Sequence, residues 1–162
     1  MLDAREGFDP RELRDAFGQF PTGVTVVTLL NEEGCATGVT VSSFTSLSMD
    51  PALCLFSLGK NQISARWLKV GSPININVLS QENEAAAWQC ARPSENKLSG
   101  LECLFGQNGV PVLANTLAIF ECEISNIYDG GDHVILVAHI NKFQKSDGDP
   151  LIFFRGKMVS LD

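Results

Sequence analysis

The sequence predicts a mainly β chain, folded as a small antiparallel barrel that carries short helices. Some seven stretches are rich in apolar and β-branched residues, among them residues 23–30, 53–58, 74–78 and 133–143. Turn sequences join most of them directly: Asn31-Glu32-Glu33-Gly34 and Asp129-Gly130-Gly131-Asp132 both read as hairpin connections. The helical stretches are few and short.

The first element is a helix, with Asp9 as N-cap, Pro10 at the first helical position and Glu12 two residues on. Leu13, Ala16, Phe17 and Phe20 recur at helical spacing and give it one apolar face, and Pro21 ends it. Residues 23–30 follow as a strand, and the hairpin leads into a second strand. There Val39 and Val41 point to one face while Thr40 and Ser42 point to the other. The alternation then stops at a cluster of hydroxyls, Ser43, Thr45, Ser46 and Ser48. A strand end and turn with so many donors suits the oxygens of a phosphate, and the same hydroxyls equally suit their own turn.

Asp50-Pro51 breaks the chain before residues 53–58, an almost wholly apolar strand that belongs deep in a sheet. Ile63, Trp67 and Val70 mark a short helix over residues 62–70, stopped by Gly71. In residues 74–78 two asparagines, Asn75 and Asn77, alternate with three β-branched residues, so one face carries amides that require partners if buried. Residues 82–91 form another short helix with acids at its start. Residues 92–111 read as irregular, and a stretch of that length is more often functional than a plain connector. Trp67 and Trp88 read as core or interface packing. The last third is β-rich, over residues 117–128, 133–143 and 151–159. There is no internal repeat and no low-complexity tract.

A chain of 162 residues with 44% hydrophobic content is expected to form one domain over residues 1–162 and is too apolar for disorder. The net charge of −7, with twelve scattered basic residues, opposes a nucleic-acid surface. The charged N-terminus and the lack of an apolar run near the ~20 residues of a membrane span lead to the expectation of a soluble cytoplasmic protein with no membrane partner. Cys35, Cys54, Cys90, Cys103 and Cys122 include no C-x-x-C pair, which suits reduced and mostly buried thiols. His133 and His139 have no ligand at metal spacing, so no metal centre is expected.

No G-x-G-x-x-G follows a strand, Gly59-Lys60 lacks the upstream glycine of a P-loop, and no G-x-S-x-G is present. What remains is a set of polar features on a β scaffold. Their order is Phe20-Pro21-Thr22-Gly23-Val24-Thr25-Val26-Val27-Thr28, then Thr40-Val41-Ser42-Ser43-Phe44-Thr45-Ser46, Asn77-Val78-Leu79, Gly131-Asp132-His133 and Pro150-Leu151 through Arg155-Gly156. In that order, over about residues 8–161, the chain resembles the short-chain flavin reductase family, the reductase components of two-component flavin-dependent monooxygenases.

The resemblance implies an FMN-binding split barrel and an NAD(P)H:flavin oxidoreductase. Its cofactors would be FMN or FAD, with NADH or NADPH as hydride donor. Its partners would be a second copy of itself, with the site near the interface, and a separate oxygenase that receives reduced flavin. By the same resemblance Thr40, Val41, Ser42, Ser43, Thr45 and Ser46 wrap the flavin ring and ribityl phosphate. Ser57, Leu58, Asn61, Gln62 and Ser64 complete those contacts, and Cys90 and Ala91 close over the flavin. His133, as the catalytic position, and Phe154, Arg155 and Gly156 meet the nicotinamide nucleotide. The chain departs from the family pattern at Cys90, where Phe is usual, at Ala138, where Gly is common, and near Phe153 and Met158, where a tyrosine is frequent. The rival reading is a flavin-binding carrier or sensor without turnover, which would keep the hydroxyl cluster and dispense with His133 and Arg155.

Overall fold

The computed structural model describes residues 7–161. Helix α1 (Pro10–Phe17) starts as its sequence dictates, with the Asp9 carboxylate accepting the Arg11 N–H at 2.7 Å. It ends at Gly18, before Pro21, and buries none of its residues; Phe17 and Phe20 remain largely exposed. The expected strand after it is two elements. β1 (Thr22–Gly23) and β2 (Thr25–Leu30) part at Val24 and join different sheets.

β3 (Ala36–Val41), β4 (Thr45–Met49) and β5 (Ala52–Gly59) follow, then α2 (Ile63–Trp67) and β6 (Pro73–Val78). A 3-10 turn at Gln81–Asn83 leads into α3 (Glu84–Ala91). The stretch over residues 92–111, read as irregular, contains β7 (Cys103–Phe105) and leads to β8 (Pro111–Leu113), which pair as a hairpin. These strands are three residues each, too short to leave a period in the sequence. Two long strands, β9 (Ala118–Gly130) and β10 (His133–Lys145), and the small pair β11 (Ile152–Phe154) and β12 (Lys157–Val159) complete the chain.

Seven strands form one antiparallel sheet in the order β3-β2-β6-β9-β10-β5-β4, and β1-β11-β12 form a second sheet beside it. The two edges of the large sheet, β3 and β4, are consecutive in the chain. Flat, seven strands spaced about 4.8 Å apart would hold those edges roughly 29 Å from each other. The link from Val41 to Thr45 reaches at most about 15 Å. The sheet therefore curls until its edges nearly meet, which makes it a split barrel. Register shifts in the β9–β10 pair at Val137/Ala138 and Ile140/Lys142 add the local bending that such a curl requires.

β2 is buried on both faces. Val27 and Leu29 join Phe56, Leu58, Ile74, Ile76, Ile124 and Leu136 inside the barrel, while Val26, with Val24 just before the strand, joins Leu79, Ala86, Ala87, Cys90 and Leu151 on the other side. The amide face of β6 is wholly buried and fully partnered. Asn75 donates to the Val110 carbonyl (2.8 Å) and accepts from Asn108 (2.8 Å), and Asn77 donates to the Val26 carbonyl (2.9 Å) and accepts the Leu113 N–H (2.9 Å). These bonds fasten the β8 segment across the outside of the barrel.

α3 lies against β3 because Gly38 has no side chain. A Cβ there would come within 3.1 Å of Val26 Cγ1 and 3.2 Å of both Cys90 Sγ and Leu98 Cδ2. All five thiols are unbridged; Cys54, Cys90 and Cys122 are buried and Cys35 is exposed. Among the described residues no helix is long and apolar enough to cross a membrane.

Candidate active site

A chain of cavities runs along β3, from its start near Ala36 past its end at Ser42. The first, of about 510 Å³, lies between the end of α1 and the β11–β12 hairpin, with Arg14, Phe17, Thr22, Ser42, Phe153 and Arg155 in its walls. Ser42 and Phe153 are shared with the second, of about 190 Å³, whose other walls are Val24, Thr40, Val41, Trp88, Ala91 and Met158. This second cavity is almost entirely apolar. Thr40 and Ala91 are shared in turn with a third, of about 370 Å³, bounded by Asn61, Gln62, Ser64, Ser94 and Lys97. Ile63, Ser64, Ser94 and Lys97 lead on to a fourth, of about 510 Å³, beside Asn31, Glu33 and Trp67.

The structure thus brings together Thr40, Val41, Ser42, Asn61, Gln62, Ser64, Ala91, Arg155 and Gly156 of the residues expected from the sequence. Local chemistry explains their placement. Arg155 and Gly156 both have positive φ, 50° and 76°, the pairing that a two-residue turn between β11 and β12 requires. The Arg155 guanidinium lies over the Phe154 ring, and its Nε and Nη2 both donate to Gln19 Oε1 at 3.0 and 2.7 Å. The Arg155 N–H donates to the Gly18 carbonyl, so the end of α1 and the hairpin form one wall. Gly59 lets the Asn61 side chain lie close over the backbone, since a Cβ there would come within 2.8 Å of Asn61 Oδ1 and push that side chain aside.

Other expected residues stand elsewhere. Thr45 and Ser46 are not turn residues: Asp50-Pro51 folds the chain back, and both pair with β5 as part of the edge strand β4, opposite Leu55 and Cys54. The Ser43 hydroxyl accepts the Ser57 N–H at 2.9 Å and donates to the Ser57 carbonyl at 3.2 Å, so it is engaged in closing the barrel. Leu58 is buried in the barrel interior and Cys90 in the core beneath α3. Phe154 packs under Arg155 and lines none of these cavities, whereas its neighbour Phe153 lines two. Even Thr40, which does line the groove, donates its hydroxyl hydrogen to the Ala87 carbonyl at 2.6 Å.

His133 opens β10 opposite Gly59, two residues before Asn61. It is exposed, and its Nδ1 lies 2.7 Å from the Asp132 carboxylate. The imidazole holds that carboxyl below its usual range, and Lys60 does the same for Asp129. His133 therefore stands at the Asn61 end of the groove, while Arg155 lines its other end. Trp88, read as packing, is partly exposed in the apolar cavity, with its indole N–H donating to Glu84 at 3.3 Å. Trp88, Phe153, Ser94 and Lys97 were not singled out as site residues. Only α3 and the loop after it, folded onto β3, bring Trp88, Ser94 and Lys97 into the groove.

A family model for the flavin reductase like domain matches residues 17–162. The chain belongs to that family. A probable flavin reductase of Rhizobium meliloti is 40% identical over 151 residues, covering 93% of this chain and 49% of the relative. The reductase component of a flavin-dependent trigonelline monooxygenase of Acinetobacter baylyi is 37% identical over 146 residues, covering 90% of this chain and 47% of the relative. The chain therefore spans about half the length of these curated relatives. Among solved structures, the NADH:FAD oxidoreductase SgcE6 of Streptomyces globisporus, in complex with NAD and FAD fragments, superposes with a TM-score of 0.89 at 32% identity, covering 97% of each chain. Family membership and this superposition agree with the split barrel deduced from the strand order.

Proposed function

We propose that the chain, acting as one domain, is an NAD(P)H:flavin oxidoreductase, and that the groove along β3 is where nicotinamide and flavin meet. The observation that carries this reading is the sequence of surfaces along the groove. An apolar cavity walled by Trp88, Val41 and Met158 suits a flat aromatic ring system, and a polar cavity at Asn61, Gln62 and Ser64 adjoins it through Thr40. At the other side, through Ser42 and Phe153, lies a cavity lined by two arginines, Arg14 and Arg155, against a single carboxylate, Asp15. That end suits the negatively charged nicotinamide nucleotide. The apolar and polar linings of these adjoining cavities support a flavin in the groove.

When bound, FMN or FAD supplies the acceptor for a hydride from the reduced nicotinamide, with a solvent proton completing the two-electron reduction. The protein's part is positioning. The Thr40–Ser42 strand end and Trp88 hold one ring, while Phe153 and the Arg155-Gly156 turn hold the other nucleotide beside it. Ser42 and Phe153, common to both cavities, mark where the two would touch. His133 stands at the Asn61 end, away from the two arginines and outside the groove wall, so its proposed contact with the nicotinamide nucleotide requires that nucleotide to extend along the groove to this rim.

A homodimer fits the same reading, because Phe17 and Phe20, which line the arginine cavity, are 72% and 76% exposed. Membership in a family that includes a monooxygenase reductase component supports release of reduced flavin to a separate oxygenase. The unbridged thiols support a reducing compartment, the cytoplasm.

The test is anaerobic oxidation of NADH and of NADPH by catalytic amounts of protein with excess FMN or FAD. Oxidation should run for many turnovers with at least one pairing. Arrest after one equivalent would favour a carrier or sensor, and no oxidation with any pairing would overturn the reading.

A further inference from the structure

Thr22 opens the two-residue strand β1, and its hydroxyl stands alone. Among the described residues, Thr22 Oγ1 is the one buried side-chain oxygen or nitrogen with no hydrogen-bond partner. The threonines of the neighbouring strands are all engaged: Thr25 donates to the Val41 carbonyl, Thr28 to the Pro111 carbonyl and Thr40 to the Ala87 carbonyl. A hydroxyl cut off from both water and a partner costs stability that a methyl group of the same shape would not. The free protein therefore gains nothing from it.

Its position gives it a use. Thr22 belongs to the wall of the arginine cavity, with Arg14, Ser42, Phe153 and Arg155. Its register partner is Phe153, and directly opposed residues of an antiparallel pair present their side chains on one face. Phe153 is shared with the apolar ring cavity, so Thr22 stands at the junction of the two cavities. A rotation of about 120° about its Cα–Cβ bond exchanges the hydroxyl with another substituent and leaves the backbone in place. The hydroxyl can thus turn from its buried setting into the cavity.

We propose that Thr22 is a contact residue for the carboxamide of the reduced nicotinamide. When the nucleotide enters, the hydroxyl turns into the cavity and hydrogen-bonds the carboxamide, which offers it both an acceptor oxygen and donor N–H groups. A bond at that substituent fixes the rotation of the nicotinamide in its own plane, and with it the position of the hydride-bearing carbon beside the flavin. The proposal rests on the reading of the arginine cavity as the nicotinamide site.

The experiment examines wild type, T22V and T22S by urea unfolding of the ligand-free protein and by anaerobic stopped-flow reduction of bound FMN. The reductants are NADH and reduced nicotinamide mononucleotide, which lacks the adenosine half. T22V puts a methyl in place of the hydroxyl, and T22S keeps the hydroxyl. T22V should unfold at a urea concentration equal to or above that of wild type. Its ratio of limiting reduction rate to nucleotide dissociation constant should fall about three- to tenfold, by the same factor with both reductants, while the FMN dissociation constant stays within about twofold. T22S should reduce FMN within about threefold of wild type. Parental reduction in T22V would make the hydroxyl an unused defect, and a loss confined to NADH would place it against the adenosine half. Weakened FMN binding would assign it to the flavin, and a lower urea midpoint or failure to fold would mean that the free protein already uses it. Each of these four results overturns the proposal while the groove keeps its function. Failure of the wild-type chain to be reduced by any nicotinamide would overturn the proposed function itself, and this assignment with it.

Discussion

Ser43 and Ser57 close the barrel through a single side chain. β4 pairs with β5 through Thr45 and Leu55, and two residues earlier the Ser43 hydroxyl takes the place of a backbone partner for both the N–H and the carbonyl of Ser57. The hydroxyl thus holds the corner between β3 and β4 onto β5, and that corner carries Ser42 to the groove.

Ser43→Ala therefore acts on stability. It leaves both backbone groups of a half-buried residue without this partner, at a cost of about 1–3 kcal/mol. Urea unfolding should register that loss. Flavin affinity of the folded variant should stay within about twofold of wild type, and a larger drop would return Ser43 to the binding site.

Trp88 is the optical reporter of the ring cavity. Flavin binding should quench indole fluorescence, and Trp88→Phe should remove the larger share of the quenching, because Trp88 lines the ring cavity whereas Trp67 lines only the fourth cavity along the groove. Quenching undiminished in Trp88→Phe would move the ring away from α3.

Arg155 and His133 separate in kinetics. Arg155→Ala removes a guanidinium held by Gln19 in the wall of the nicotinamide cavity, so the KM for NADH or NADPH should rise about tenfold with flavin affinity unchanged. His133→Ala should lower the limiting rate of flavin reduction in stopped flow and spare flavin binding. Parental reduction at every nicotinamide concentration would make His133 a turn residue fastened to Asp132.

The thiols give a pH signature. Burial pushes the Cys90 thiol up to about 11 from the usual 9.0, so the folded chain keeps a proton that the unfolded chain releases. The unfolded state then binds fewer protons as pH rises, and stability falls between about pH 9 and 11 by linkage. Near neutral pH, an aromatic disulfide reagent should react at once with exposed Cys35 and reach Cys54, Cys90 and Cys122 only after unfolding. Cys35→Ser should abolish the rapid phase.

Much of the barrel is legible in the sequence because each element carries its own period or cap. Asp9 and Pro10 start α1, the alternating asparagines of β6 demand the buried partners they receive, and Gly131 allows the turn between β9 and β10. Thr45 and Ser46 were legible only as hydroxyls. An edge strand needs pairing on one side and tolerates polar residues on both faces, so nothing in the composition of β4 announces it. The site was legible where one segment supplies it, as with Thr40, Val41 and Ser42. It was not legible where tertiary folding supplies it. Trp88 and Lys97 enter the groove because Gly38 lets α3 settle onto β3, and no local pattern encodes that contact.

The most direct test of the β3 groove is a crystal structure with FMN or FAD bound. The account predicts the flavin ring in the cavity bounded by Val41, Trp88, Phe153 and Met158, with its phosphate toward Asn61, Ser64 and Lys97. A ring seated along the Thr45–Ser46 edge of β4, or a phosphate at the Arg155 end, would contradict it.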